Sequence, residues 1–212
     1  SAKQARDRET QAILPLRGKI LNVASATSDK IMANQEIQDI ELALGCGSGK
    51  FFAADDLRYE KIVIMTDADV DGAHIASLLM TYFYKAMPQL IERGHLYLAQ
   101  PPLYRIAQGT KYYYAVDDRD KDQIIASLAK NRGNIEVSRF KGLGEMTPAQ
   151  LKETTMAPGK RTLLRVIIDE EEREEAANRV EELMGRKPEL RFKFIQEQSL
   201  ARREELSGVL DI

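Results

Sequence analysis

The residues that decide the fold are 61–72, which read Lys-Ile-Val-Ile-Met-Thr-Asp-Ala-Asp-Val-Asp-Gly. Their apolar start suits a strand that is buried on both faces, as in a parallel sheet. After Gly72, apolar residues recur at helical spacing as far as Met87. The stretch therefore predicts a strand, a tight acidic turn and a helix. This unit is typical of an α/β fold with a central, mainly parallel sheet flanked by helices.

Three carboxylates, Asp67, Asp69 and Asp71, stand at alternate positions of this turn. In open α/β sheets, ligands bind at the carboxyl ends of strands, which is where these residues are predicted to lie. Three anions held together repel one another unless a cation is near them. Because the cluster offers oxygen ligands without His or Cys, it favours Mg²⁺ or another hard cation.

Other interpretations of the acidic turn remain possible at this point. Asp71 could cap the helix, which would explain one or two of the carboxylates. An EF-hand loop fails because Leu78 occupies its twelfth position, where an acidic residue is needed. A phosphatase of the haloacid-dehalogenase kind also places Asp-x-Asp after a strand, but it requires Thr or Val in place of Asp71. The third candidate is the Toprim fold of topoisomerases and primases.

Composition restricts the class of protein. The 212 residues are 43% hydrophobic and 30% charged with a net charge of −2, which is ordinary for a globular protein. The single cysteine, Cys46, excludes a disulfide framework and predicts a cytoplasmic location. No run approaches the roughly 20 apolar residues of a membrane helix, so no membrane partner is expected. Five basic against two acidic residues in 1–23 could serve phosphates, whereas the eight acidic residues within 169–182 suit solvent.

The remaining chain gives a coarse series of elements. The patterns predict a charged helix at 2–10, an extended segment at 11–23 and a helix that is capped by Ser28 and runs to Leu44. Strands are predicted at 95–99, 112–116, 137–141 and 161–168. Further helices are predicted at 120–130, from Asp169 to Gly185, and from Leu190, the last with Phe194 and Ile195 inward and Arg191 outward. Residues 207–212 are expected to fray. Gly45–Lys50 is not a P-loop, because Leu44 and Phe51 break the pattern and a helix precedes it.

Two further stretches carry candidate binding residues. Arg17 and Lys19 flank Gly18 at the tip of the extended segment, and Asn22 follows them as a potential phosphate or base contact. In the second stretch, a short strand runs into Lys141-Gly-x-Gly and then into Thr147-Pro-Ala-Gln, which predicts a capping box. Lys141 could balance nearby carboxylates or a phosphate.

Three motifs occur together in one order: Pro-Leu-Arg-Gly-Lys-Ile-Leu-Asn at 15–22, Thr-Asp-Ala-Asp-Val-Asp-Gly-Ala-His-Ile at 66–75, and Phe-Lys-Gly-Leu-Gly-Glu-Met at 140–146. Together they resemble the B subunit of bacterial type IIA topoisomerases. The resemblance covers essentially the whole chain, with a Toprim domain at 1–156 and an α-rich tail at 157–212. Residues 1–9 are more similar to topoisomerase IV than to gyrase.

The resemblance implies roles for individual residues. Asp67 and Asp69 would be catalytic Mg²⁺ ligands, with Asp71 as a supporting or second-site carboxylate. Contacts with DNA would come from Lys19, Asn22, His74 and Arg191. Arg17, which replaces a lysine common in the family, and Lys141 would be possible phosphate or quinolone contacts.

The resemblance also implies partners. The family cleaves DNA with a tyrosine of the A subunit, in an A2B2 heterotetramer that uses ATP at an N-terminal domain of the B subunit. The family's catalytic glutamate lies in a Glu-Gly-Asp-Ser-Ala segment just before the point matched by Ser1, so the first strand of the Toprim domain is expected to be missing here. A fragment of this kind is expected to be inactive alone, or to be only a module that binds DNA and the A subunit of topoisomerase IV or gyrase. The expected location is the bacterial cytoplasm, at the nucleoid.

Overall fold

The computed structural model describes residues 1–130 and 133–202. The helices are α1 (Ala2–Ala5), α2 (Ser28–Met32), α3 (Gln35–Leu44), α4 (Val70–Ala86), α5 (Pro88–Glu92), α6 (Asp118–Leu128), α7 (Pro148–Leu151), α8 (Arg173–Met184) and α9 (Pro188–Ala201). The strands are β1 (Ile62–Ile64), β2 (Leu96–Ala99), β3 (Tyr104–Gln108), β4 (Lys111–Ala115), β5 (Ile135–Arg139) and β6 (Leu163–Arg165). A 3-10 turn covers Leu143–Glu145, and a π-helical turn, Lys152–Met156, continues α7.

The central sheet combines parallel and antiparallel pairing. β1 and β2 are parallel, with Ile62 opposite Leu96, and the connection between them contains α4 and α5. β6 pairs with the other edge of β2 in the antiparallel direction, with Leu98 opposite Leu164. The α/β class is therefore confirmed. Within the described residues, however, the expected parallel arrangement is limited to one of the two strand pairs of this sheet.

A second, wholly antiparallel sheet has the strand order β4-β3-β5. Leu128 of α6 packs in one cluster with Tyr104, Ile106 and Ala115, which are buried. Tyr113 joins this cluster, whereas the neighbouring Tyr112 is 58% exposed. The tyrosine run at 112–114 thus faces both sides of the sheet, as the period of two in a strand requires.

The main core lies between the central sheet and helices α3, α4 and α5. Tyr82, Met87, Leu90 and Leu96 have no exposed surface at all. Full burial of such a side chain stabilises the fold by about 1.5–3 kcal/mol. Within the described residues β1 pairs only with β2, and it borders a groove of about 1110 Å³ lined by residues 10–16 and 59–67.

Several predicted elements differ from the observed ones. The predicted helix from Ser28 to Leu44 is two helices, because Asn34 caps a new one by accepting a hydrogen bond from the Ile37 N–H at 3.0 Å. Thr27, not Ser28, is at the N-cap position of the first helix. Gly45 ends α3 in the left-handed conformation (φ 76°), which glycine adopts without strain.

At the ends of the chain the helices are shorter than predicted. The first helix covers only Ala2–Ala5, and the acidic one starts at Arg173 instead of Asp169. The expectation that Ile195 faces inward is wrong, since its side chain is 58% exposed. Residues 207–212, for which fraying was expected, lie outside the described residues. In residues 1–130 and 133–202, no helix has the length and apolar character that a membrane crossing requires.

Candidate metal and nucleic-acid site

The acidic turn follows β1 directly and leads into α4. Asp69 is the N-cap of α4, and its Oδ1 accepts a hydrogen bond from the Gly72 N–H at 2.7 Å. An aspartate is among the best residues at this position, because its side chain satisfies an N–H that has no partner within the helix. An aspartate of the turn therefore does cap the helix, but it is Asp69, and the alternative in which Asp71 is the cap is wrong.

Asp67 is held by a distant loop. Its Oδ1 accepts a hydrogen bond from the Leu143 N–H at 2.7 Å, although the two residues are 76 positions apart in the chain. Its backbone is close to Gly72, where a Cβ atom would lie 1.9 Å from the Asp67 carbonyl oxygen. Glycine is therefore required at position 72. The Lys-Gly-x-Gly motif therefore lies beside the acidic turn. Glycine has no side chain, so the backbone of this loop can approach the turn closely.

Asp71 is paired with a lysine. The Lys19 Nζ lies 2.8 Å from the Asp71 Oδ1, although the Asp71 side chain is 78% exposed. The hydrogen bond from Lys19 lowers the pKa of Asp71, the charge of Lys19 acts in the same direction, and His74 makes a smaller contribution of that sign. Lys19 and His74, both predicted to contact DNA, are thus placed at the acidic turn.

Asn22 and Arg191 meet at the C-terminal end of α8. The Asn22 Nδ2 donates to the Met184 carbonyl at 2.9 Å, and an Arg191 guanidinium nitrogen donates to the Leu183 carbonyl at 2.7 Å. Donors at a helix C-terminus satisfy carbonyls that have no partner within the helix, and a cation there also interacts favourably with the helix dipole. Arg191 is half-buried, and its guanidinium group is directed at the end of α8.

Arg17 and Lys141 are exposed cations; Arg17 lies two residues before Lys19, and Lys141 directly precedes Gly142. The Lys141 backbone N–H donates to the Glu145 carboxylate at 2.8 Å, which tightens the loop and leaves the ammonium group out of that contact. Among the salt bridges formed by residues 1–130 and 133–202, none includes Arg17 or Lys141. Both side chains can therefore meet an anion without first breaking such a pair.

The donor set at the turn fits a hard cation held by two carboxylates. Asp67 and Asp69 each accept one N–H with Oδ1. Since a carboxylate has about four lone-pair sites, each can also bind an ion. Mg²⁺ commonly takes one or two carboxylates and completes its shell with water and phosphate oxygens. Among residues 1–130 and 133–202, no three His, Cys, Asp or Glu side chains are grouped as a ready-made metal site.

Sequence reasoning missed three features of this site. They are the Leu143 N–H on Asp67, the Lys19 ion pair with Asp71, and the use of Asn22 and Arg191 at the end of α8. For the first, the glycine at 142 was a usable signal, because a strand that ends in a glycine loop often marks a close approach of backbone. For the other two, the local sequence carried no signal.

Comparison with known families agrees with this geometry. The model of the Toprim domain matches residues 1–101, and the model described as DNA gyrase B subunit, carboxyl terminus, matches residues 132–196. The fold and the acidic turn thus define a Toprim protein with a gyrase-B-type C-terminal region.

Curated relatives make the assignment more specific. The B subunit of DNA topoisomerase 4 from Rickettsia prowazekii is 60% identical, over all of this chain and 32% of the relative. The corresponding protein from Caulobacter vibrioides is 63% identical over 93% of this chain and 28% of the relative. The B subunit of DNA gyrase from Halalkalibacterium halodurans is 54% identical over 93% of this chain and 30% of the relative.

The chain belongs to the family of bacterial type II topoisomerase B subunits and matches their C-terminal part. It spans about a third of the length of the curated relatives it matches.

Proposed function

We propose that this chain is the Mg²⁺-binding Toprim part of a type II topoisomerase, and that it assists double-strand DNA cleavage and religation by a tyrosine of the A subunit. The observation that carries the proposal is the arrangement at the end of β1. Asp67 is fixed by the Leu143 N–H and Asp69 by the Gly72 N–H, beside the Lys19–Asp71 pair. Family membership and the fit of the donor set to a hard cation support it.

The reaction is a transesterification at phosphorus. The tyrosine oxygen forms a bond to the phosphorus, the bond to the 3′ oxygen breaks, and religation reverses both changes. Bound Mg²⁺ would supply charge neutralisation at the phosphate or at the leaving 3′ oxygen, in a one-ion or two-ion arrangement. Asp67 and Asp69 would hold the ion, and Asp71 is a supporting carboxylate.

The cationic side chains would orient the DNA. Lys19 and His74 would hold phosphates beside the turn, and Arg17 and Lys141, which are exposed, would extend this surface. Asn22 and Arg191 would contact DNA only with donors that they do not use at the end of α8. Because phosphate contacts release counterions, binding should weaken as the salt concentration rises.

The general acid/base glutamate would come from a segment that precedes residue 1 in the whole protein. The relatives extend well beyond the part matched here, and this chain matches their C-terminal part. The groove next to β1 is lined by residues 10–16 and 59–67, and its volume of about 1110 Å³ leaves room for an extended segment. A strand seated there would pair with β1, which in the described residues has β2 as its partner.

The whole protein would act in an A2B2 assembly in the bacterial cytoplasm, at the nucleoid, with ATP bound at an N-terminal domain of the B subunit. Within this chain, the division into a Toprim domain (1–156) and a tail (157–212) is part of the proposal. Relaxation and decatenation by topoisomerase IV is favoured over supercoiling by gyrase, because the topoisomerase 4 relatives are 60% and 63% identical and the gyrase relative is 54% identical.

The test is formation of the covalent protein–DNA complex when the complete B subunit is mixed with the A subunit, plasmid DNA and Mg²⁺. Asp69→Asn is the informative variant, because asparagine caps a helix as well as aspartate does but lacks the charge. Asp117→Asn is the matched control, since Asp117 caps α6 in the same way, with the Asp120 N–H at 2.7 Å from its Oδ1. We expect covalent complex formation to be largely lost for Asp69→Asn and unchanged for Asp117→Asn.

Equal complex formation by these two variants would disprove the metal role of Asp69. ATP-driven negative supercoiling by the complete enzyme would replace topoisomerase IV with gyrase in the proposal. DNA binding without any covalent complex, with Mg²⁺ or Mn²⁺, would favour the non-enzymatic alternative, a module that only binds DNA and the A subunit.

A further inference from the structure

The loop that contacts Asp67 is itself held at several points. The Phe140 N–H donates to the Leu103 carbonyl at 2.8 Å, and the Lys141 N–H donates to the Glu145 carboxylate at 2.8 Å. Met146, just after the 3-10 turn, is 3% exposed and packs with Leu151 and Met156. The Leu143 N–H therefore belongs to a loop whose two ends are tied to the fold.

Gly142 provides the space in which the Asp67 carboxylate lies. A Cβ atom at position 142 would lie 2.9 Å from both the Cγ and the Oδ1 of Asp67. The backbone there is extended (φ −168°), which any residue adopts, so the requirement for glycine at this position is steric. Gly144, two residues later, is different, because a Cβ atom there would have no heavy atom within 4 Å.

We propose that Gly142 and Leu143 are positioning residues that select one orientation of the Asp67 carboxylate. The Leu143 N–H engages Oδ1, and the absent side chain at 142 leaves room for that orientation, so that Oδ2 is free to bind an ion. This inference rests on the proposed function, since it assumes that Asp67 binds the divalent ion. Backbone contacts that orient a metal ligand typically change metal affinity by about 10- to 100-fold when they are lost.

The chemistry of the contact supports this role. An N–H that donates to an ionised carboxylate forms a stronger hydrogen bond than one that donates to a neutral acceptor. It also restricts rotation of the carboxylate, so less conformational freedom is lost when an ion binds. If the loop only anchored the chain, its loss would change stability and leave metal affinity at Asp67 unaltered.

The first experiment compares Gly142→Ala with Gly144→Ala in the complete B subunit. The probe is Mn²⁺, whose free and bound forms are distinguished by electron paramagnetic resonance, and thermal melting is recorded for each variant. We expect Gly142→Ala to weaken Mn²⁺ binding by about 10- to 100-fold. The Mn²⁺ affinity of Gly144→Ala should stay within about 2-fold of that of the parent. The Mg²⁺ concentration for half-maximal covalent complex should rise in proportion, while saturating Mg²⁺ restores most of the yield.

The second experiment removes the N–H itself. Leu143 is the first residue of a 3-10 turn and follows an extended residue, a position that accepts proline. Leu143→Pro removes the N–H donor together with the leucine side chain. Leu143→Ala keeps the N–H and measures how much of the change in affinity comes from loss of the side chain. We expect Mn²⁺ affinity to fall about 10-fold further for Leu143→Pro than for Leu143→Ala, which keeps the inference testable if Gly142→Ala fails to fold.

The outcomes distinguish a failure of the proposed metal function from a failure of the positioning role alone. Mn²⁺ binding that is insensitive to Asp67→Asn and Asp69→Asn would overturn the proposed metal function itself. Binding that depends on both aspartates but is equal in Gly142→Ala and Gly144→Ala, or in Leu143→Pro and Leu143→Ala, would overturn only the positioning role.

Discussion

The body of the chain (1–168), in which β6 pairs with β2, and its helical tail, α8 and α9, are held together by different forces. In the body, Tyr82, Met87, Leu90 and Leu96 are completely buried around α4 and β2. In the tail, α8 and α9 contain no buried residue. The body should therefore resist changes at its surface, whereas the position of the tail should depend on single polar groups.

Apart from Met184, which packs against the main core, the contacts from the helical tail to the body are mostly polar. The Arg186 guanidinium donates to the Ser25 and Ala26 carbonyls at 2.9 and 3.0 Å, and the Asn22 side chain donates to the Met184 carbonyl at 2.9 Å. An Arg173 guanidinium nitrogen lies 2.9 Å from the Glu92 carboxylate. Two residues that the resemblance assigns to DNA, Asn22 and Arg191, therefore also fix the C-terminal end of α8.

The largest effect should come from a cavity in the body. Leu90→Ala removes a side chain with 0% exposure and should lower the free energy of unfolding by about 2–5 kcal/mol. Leu200→Ala is the control, because Leu200 is 70% exposed and its loss should change stability by less than about 0.5 kcal/mol. Urea unfolding measures both, and similar losses for the two variants would contradict the comparison.

An intermediate effect should come from a contact between the tail and the body. Arg186→Ala removes two exposed hydrogen bonds, and it should lower the opening free energy of α8 and α9 by about 1 kcal/mol while leaving β1 and β2 unchanged. Amide hydrogen exchange measures the two regions separately. Lys193→Ala is the control, because Lys193 pairs with Glu197 within α9. Equal loss of protection in body and tail would contradict the comparison.

The smallest effect should be local to the acidic turn. Lys19→Met removes the hydrogen bond and charge that lower the pKa of Asp71, so this pKa should rise towards its ordinary value of 3.8. Because the folded pKa is lowered, the stabilisation is present above the unfolded pKa and is lost as pH falls through the folded pKa. The parent and the variant should therefore differ at neutral pH and converge in strong acid. Carbon-13 NMR of the Asp71 carboxyl follows the titration, and an unchanged pKa would exclude the ion pair.

Local sequence patterns predicted much of the fold. The apolar run before Asp67 predicted β1, and the capping box at Thr147 and Gln150 is observed with both of its hydrogen bonds. These features depend on neighbours along the chain. The antiparallel pairing of β6 could not be predicted, because strand direction depends on contacts between distant segments. The exposure of Ile195 was missed because apolar residues occur all around α9, which leaves no single face to assign to the core.

The candidate site was predicted in composition but not in arrangement. The sequence predicted Asp67, Asp69 and Asp71 at the end of β1, and the structure places them there. It also shows that each carboxylate has its own partner, namely the Leu143 N–H, the Gly72 N–H and the Lys19 ammonium. Two of these partners, Leu143 and Lys19, are far away in sequence. The mutual repulsion of three anions predicts that they need partners, but it does not show which distant residues provide them.

Anomalous diffraction from crystals of the complete B subunit with the A subunit, DNA and Mn²⁺ would test the metal assignment most directly. We expect an anomalous peak about 2.1 Å from one carboxylate oxygen of Asp67 and one of Asp69, close to the Mg²⁺–oxygen distance. The Leu143 N–H should remain on the other Asp67 oxygen. A DNA-bound complex with Mn²⁺ elsewhere, and none at these two aspartates, would contradict the assignment of the acidic turn as the metal site.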